Sequence, residues 1–329
     1  MLVTVLLFVL GFIVLIFGAH FLIKGASLLG KKFNIPSIVI GMIIVGFGTS
    51  VPELVISIFA TLKDSPEISI SNAVGSNIAN IMLVLGLMPF FMTVKAVNPK
   101  TIKYKIPFVI FTSVVLFFAA NGKTFFDSSI NTITRLDGII FLIVFIGFLI
   151  FTFFGDRKNM DDEKADVKKP TLIILSFIFS GIAGVYFGGN LVVENAISIA
   201  KYFGMSEAFI GVSILAVGSS LPEIISSITA ALKKEEGIAL GNIIGSNIFN
   251  TFLILGIASV IKPLKVSDEQ QFNIIINIVA SILFLLFVLG GKKGHVSKIQ
   301  GFIFLTLYVL FIITSFYLSQ IITFIPFLK

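Results

Sequence analysis

Apolar runs long enough to cross a hydrocarbon core, about 20 residues each, recur ten times along the chain. They lie at residues 2–23, 37–61, 68–94, 106–120, 137–155, 171–200, 208–232, 237–261, 271–290 and 300–326. A water-soluble core has no use for so many, and the composition agrees: 57% of the 329 residues are hydrophobic, 12% are charged, and the mean hydropathy is +1.08. Because a span in lipid must satisfy its backbone hydrogen bonds internally, the expected fold class is an all-α polytopic membrane protein with ten transmembrane helices. The first span follows no basic segment and precedes no small-residue cleavage site, so it is expected to stay as a helix and not be removed as a signal peptide.

Ten crossings put both termini on one side. Most of the 24 Lys and Arg fall in alternate loops, beginning with Lys24, Lys31 and Lys32. By the positive-inside rule those loops are cytoplasmic and both termini face outward. The net charge of +7 is thus an orientation signal. No basic segment lies outside the short loops, and no nucleic-acid partner is expected. The one extended hydrophilic stretch, DRKNMDDEKADVKKP at 156–170, lacks the Asp spacing and central Gly of an EF-hand and reads as a cytoplasmic linker. With no Cys and two His, thiolate and imidazole metal sites are excluded, and so is a resident redox cofactor built on them.

The chain is also duplicated. GFGTSVPELVISI (46–58) returns as AVGSSLPEIISSI (216–228), and NAVGSNIANIMLVLG (72–86) returns as NIIGSNIFNTFLILG (242–256), both at an offset of 170 residues. Between 40–63 and 210–233, 12 of 24 positions are identical. The chain therefore divides into a first half, 1–155, carrying one repeat at 40–86, and a second half, 171–329, carrying the other at 210–256, joined by the linker 156–170. Five crossings separate equivalent points, so the second half runs through the membrane in the opposite sense. Two inverted five-helix repeats are a frequent design of secondary transporters, with the site near the midplane where the halves meet.

The repeated motif places an acid, Glu53 and Glu223, where ionised carboxylates are costly by several kcal/mol, on the order of the penalties seen for buried membrane charges. Each follows a Pro that removes the hydrogen bond to the carbonyl four residues back, at Gly48 or Gly218. Thr49, Ser50 and Glu53, with Ser76 and Asn80 at i and i+4 in the next helix, gather oxygen donors. The second half supplies Ser219, Ser220, Glu223, Ser246 and Asn250. Oxygen ligands suit a hard cation, Ca²⁺ or several Na⁺, and not zinc or copper. One cluster that either occupant fills, but not both at once, is the minimum equipment for antiport. The Gly41/Gly46 and Gly75/Ala79 pairs are read as helix-packing positions. Ser57 and Ser227, a turn beyond the acids, are also read as packing. No nucleophile–base pair accompanies the hydroxyls, so the chain is not read as an enzyme.

On GTSVPE with GSNIAN (48–53, 75–80) and GSSLPE with GSNIFN (218–223, 245–250), the sequence resembles the prokaryotic type of sodium/calcium exchangers of the calcium/cation antiporter superfamily. The resemblance implies that Glu53 and Glu223 coordinate Ca²⁺ with Thr49 and Ser219 beside them. It also implies that Ser50, Ser220, Ser76, Ser246, Asn80 and Asn250 complete sodium sites with main-chain carbonyls near Gly46 and Ala216. About three Na⁺ would exchange for one Ca²⁺, with the first and sixth helices sliding past the rest. Position 250 is Asn where some members of the superfamily, the potassium-dependent branch among them, carry Asp; the GN-x-x-E-H signature of proton/calcium exchangers is absent. Potassium-dependent sodium/calcium exchange, proton/calcium or proton/manganese exchange on the same scaffold, and a passive cation channel remain the alternatives. The partners expected are calcium and sodium ions and the lipid bilayer of a prokaryotic plasma (inner) membrane, with the chain acting as a monomer.

Overall fold

The computed structural model describes residues 1–63, 66–91, 94–95, 101–125, 131–155, 169–203, 218–291 and 295–324. Helix α1 is Leu2–Phe33, uninterrupted because no Pro falls within it. It runs ten residues past the expected end of its apolar run. Lys24 tolerates this by folding its ammonium 4.8 Å over the Phe177 ring, an amphipathic side chain keeping its charge at the interface. Asn34, in the left-handed region at φ 52° and ψ 49°, stops the helix ahead of Pro36.

The second crossing is broken, as its proline requires. Helices α2 (Ser37–Thr49) and α3 (Val51–Leu62) meet at 46°, with Ser50 out of helical geometry between them (φ −87°, ψ 6°). Helix α4 covers 66–91 through a π turn at Ala79–Val84, α5 covers 101–120, and α6 is Arg135–Gly155. In the second half α7 is Thr171–Tyr202, α8 is Leu221–Leu232, α9 covers 236–261 through a π turn at Phe249–Ile254, α10 is Asp268–Gly290 and α11 is Lys298–Phe324. Eight of these helices are long and apolar enough to span a bilayer, or nine with α2–α3 taken as one broken span. Of the expected seventh crossing only α8 and the residues just before it are described. Most of the linker, 156–168, also lies outside the described residues.

Two details depart from a purely helical chain. Strand β1 (Val94–Lys95) pairs antiparallel with β4 (His295–Val296), and β2 (Thr132–Ile133) with β3 (Leu264–Lys265). These two-residue ladders sit in loops, where backbone groups freed from the helices find partners across the halves. Each joins a loop that precedes residue 156 to one that follows residue 170.

Packing divides the helices into a centre and a periphery. In α4 and α9, 72% and 83% of the spanning window is buried, against 22% in α1, so α4 and α9 form the middle of the bundle. Glycines set the closest approaches. A side chain at Gly41 would strike the Ile238 backbone, and one at Gly241 or Gly245 would strike α2 at Ile38 or Met42, so α2 and α9 touch backbone to backbone. Gly75 breaks that pattern: a Cβ there meets nothing within 4 Å, so the packing role expected of it is not borne out.

Helix α1 also lies along α7. Gly11, Gly18 and Gly25, one heptad apart, face Val192, Gly184 and Ile178. Its C-terminal end is fastened to the turn after α8. Ser27 and Lys31 both reach the Glu235 carboxylate, the latter at 3.5 Å, and Lys233 Nζ donates to the His20 carbonyl at 2.8 Å. The part-buried Lys233 ammonium is held below the usual lysine value mainly by burial and then by Lys24 beside it, while Glu235 pulls the other way.

Candidate functional site

The broken crossing aims its polar residues at the centre of the bundle. Thr49 ends α2, Ser50 forms the break, and Glu53 sits in the first turn of α3, where the exposed N–H groups of a helix start favour a carboxylate. The second half repeats this geometry. Ser220 (φ −95°, ψ 4°) precedes α8, with Pro222 and Glu223 in its first turn. Glu53, Glu223, Thr49, Asn80, Ser220, Ser246 and Asn250 are fully buried, and Ser50 and Ser76 are nearly so. Ser219 is partly buried, and Ala216 lies outside the described residues.

Contacts cross between the halves. Thr49 Oγ1 donates to Asn242 Oδ1 at 3.0 Å and lies 3.4 Å from Ser246 Oγ. Ser246 Oγ donates to the Gly46 carbonyl at 3.4 Å, so Gly46, Thr49 and Ser246 form one corner. On the other side Ser76 Oγ donates to Glu53 Oε1 at 3.5 Å. The two carboxylates lie near enough to act on each other.

Residues that the sequence reading did not single out hold this arrangement. Asn72 Nδ2 donates to the Glu53 carbonyl and to Ser57 Oγ, both at 3.2 Å. Asn242 Nδ2 does the same for the Glu223 carbonyl at 3.4 Å and Ser227 Oγ at 3.0 Å. These are the same bonds 170 residues apart. Ser57 and Ser227 thus anchor asparagines, a more specific role than the packing expected of them. The signal was present in the sequence: Asn72 and Asn242 open the two matched segments, and an amide repeated within apolar helix needs a partner.

What remains unpaired defines the chemistry. Ser50 Oγ, Glu53 Oε2, Asn80 Oδ1, Ser220 Oγ, both Glu223 oxygens and Asn250 Oδ1 are buried with no hydrogen-bond partner. A buried unpaired polar atom costs about 1–3 kcal/mol, and a charged one more. Gathered oxygens of this kind are stabilised by a cation. A cavity of about 100 Å³ reaches Glu53 beside α7, lined by Pro52, Tyr186, Gly189, Gly218 and Ser219 among others. At the equivalent places on α1, Ala19 and Ile23 are fully buried while Ile16 and His20 are exposed.

Fold and site together define a multi-pass helical membrane protein with a buried, acidic, oxygen-lined centre. The family model described as "Sodium/calcium exchanger protein" matches residues 3–154 and 173–317, and the chain belongs to that family. It is similar to the putative antiporter CaxA of Alkalimonas amylolytica, 33% identical over 94% of this chain and 97% of that protein. It is also similar to the sodium/calcium exchanger MaX1 of Methanosarcina acetivorans, 30% identical over 96% of this chain and 99% of that one. Among solved structures, the sodium-calcium exchanger NCX_Mj soaked without Na⁺ and Ca²⁺ superposes with a TM-score of 0.79 at 32% identity, covering 95% of this chain and 99% of that chain.

Proposed function

We propose that this chain is a secondary-active antiporter that exchanges Na⁺ for Ca²⁺ by alternating access and so extrudes calcium. The observation that carries the reading is the set of unpaired buried oxygens around Glu53 and Glu223. Two carboxylates supply a charge of −2, which one Ca²⁺ neutralises and two or three Na⁺ satisfy as well, so either occupant excludes the other. Glu53 and Glu223, with Thr49 and Ser219, coordinate Ca²⁺; Ser50, Ser220, Ser76, Ser246, Asn80 and Asn250 complete flanking sodium sites, with the Gly46 carbonyl and, by the repeat, that of Ala216.

Ten crossings in two inverted halves accord with the bonds repeated at an offset of 170 and with ladders that join loops of equal parity. With both termini outside, the cavity beside Glu53 lies against the middle of α7, while the Glu235 contacts tie the inner end of α1 to the turn after α8 beside a cavity of about 180 Å³. In this reading α1 and α7 are the pair that moves. The chain acts as a monomer in a prokaryotic plasma membrane.

The test is radiocalcium uptake into sodium-loaded proteoliposomes diluted into medium free of sodium and potassium, with pH clamped. Uptake that requires internal sodium is the expected result. Uptake indifferent to sodium would instead identify a channel or proton coupling. Uptake that appears only when potassium joins the calcium outside would identify the potassium-dependent branch. Asn250→Asp raises the charge of the site to −3, and we expect exchange to remain measurable while the selectivity among Na⁺, K⁺ and Ca²⁺ shifts. Unchanged selectivity in cation-competition assays would remove Asn250 from the site.

A further inference from the structure

The two repeats are not equivalent in how they hold their asparagines. Asn77 Nδ2 donates to Thr251 Oγ1 at 2.9 Å, and Asn250 Nδ2 donates to Asn77 Oδ1 at 3.1 Å. That chain crosses from the second half to the first and back, through side chains that are fully or almost fully buried. It leaves Asn250 Oδ1 as the open atom of its amide.

At the offset of 170 the counterparts are Asn247, Asn80 and Ile81. Ile81 has no hydroxyl. Asn247 Nδ2 turns back to the Ile243 carbonyl of its own helix at 2.8 Å, and its Oδ1 has no partner. Neither polar atom of Asn80 has one either. The same three-residue relay is therefore complete around Asn250 and unmade around Asn80, and the difference traces to one side chain, Thr251 against Ile81.

We infer that Thr251 and Asn77 are positioning residues for the cation site: the Thr251 hydroxyl turns the Asn77 amide so that its oxygen takes the Asn250 N–H, which presents the Asn250 carbonyl oxygen to the cation. Asn250 is then a ligand oriented before the ion arrives, whereas Asn80 is ordered by the ion itself. A cation is attracted by an amide oxygen and repelled by an amide NH₂, so the direction in which Asn250 faces decides whether it binds or opposes the ion. Its fixed dipole stands where a third carboxylate would supply charge. This inference rests on the proposed cation site but not on the direction or stoichiometry of transport.

Sodium titration of the purified full-length protein by calorimetry tests it, with Ca²⁺ titration alongside. Thr251→Val keeps the side-chain volume and removes the acceptor. It is expected to raise the Na⁺ dissociation constant about 3–10-fold, the range one buried hydrogen bond supports. Thr251→Ser restores the hydroxyl and is expected to return the constant to within about twofold of the parent, a recovery that lost packing alone would not give. In an Asn250→Ala background, Thr251→Val should have no further effect, because residues acting through one another are non-additive.

Unchanged affinity in the valine variant overturns the relay. Equal weakening in the valine and serine variants, or additive losses in the double variant, also does so. If Asn250→Ala itself abolishes binding, the serine rescue decides alone. A parent protein that binds neither Ca²⁺ nor Na⁺ would instead fail the cation site itself, a result distinct from a binding-competent parent whose Thr251 variants match it.

Discussion

Glu53→Gln and Glu223→Gln are each expected to abolish sodium-dependent calcium uptake in proteoliposomes. Each replacement keeps the side chain's size and one oxygen but halves the negative charge of a centre that has two carboxylates. Both are fully buried, so water does not screen the loss. Breaking a buried charge pair costs about 3–5 kcal/mol, or a factor of roughly 10² to 4 × 10³ in affinity. Glu194 on α7 is exposed, and Glu194→Gln is the control expected to leave uptake near the parent level. Normal exchange in both glutamine variants would end the assignment of the site to this motif.

The same variants separate antiport from leak. A passive channel needs a negative lining but not two mutually exclusive occupants, so a channel would retain sodium-independent calcium flux in at least one glutamine variant. In an antiporter the uptake and its dependence on internal sodium disappear together.

Much of this centre was legible in the sequence because duplication and apolar context reinforce each other. An acid, hydroxyls and amides inside membrane-length runs already need partners, and their return at one fixed offset indicates where those partners are. The break at Ser50 was readable from Pro52, whose missing N–H forces it. What periodicity could not supply was the pairing between halves. The Thr49–Asn242 and Asn77–Asn250 bonds join residues 193 and 173 positions apart, and no local pattern encodes which amide meets which hydroxyl.

Two further features were hidden for physical reasons. The ladders of β1 with β4 and β2 with β3 are two residues long, too short to show alternation, and exist because the helix ends bring the loops together. Helix α1 outruns its apolar segment because basic residues near a helix end reach the interface while the backbone continues. Gly75 resembles a packing position by spacing alone, yet nothing approaches it. A small residue permits close contact without producing it.

The contact between α1 and α7 carries the second large effect. A Cβ at Gly18 would sit 2.5 Å from the Gly184 carbonyl carbon and from Val185 N, and the backbone on the far side has no rotamer with which to yield. Gly18→Leu must therefore push the two helices apart, and overpacking of this sort costs about 1–3 kcal/mol or more. Phe21 and Phe177 stack across the same seam with centroids 5.8 Å apart, which makes the seam measurable.

The chain has no native cysteine, so Phe21→Cys with Phe177→Cys reports on the seam without background. This pair is expected to cross-link in the parent and to lose most of that cross-linking with Gly18→Leu. Neither helix supplies a proposed ligand, so calcium binding should survive while exchange falls by at least about tenfold, the loss that about 1.4 kcal/mol in the transport barrier produces. Gly147→Leu on α6, where a Cβ meets nothing within 4 Å, should leave both unchanged. If Gly18→Leu removed binding and exchange in equal measure, the seam would be supporting the site itself, and a mobile α1–α7 pair beside a static ion centre would be the wrong division of labour.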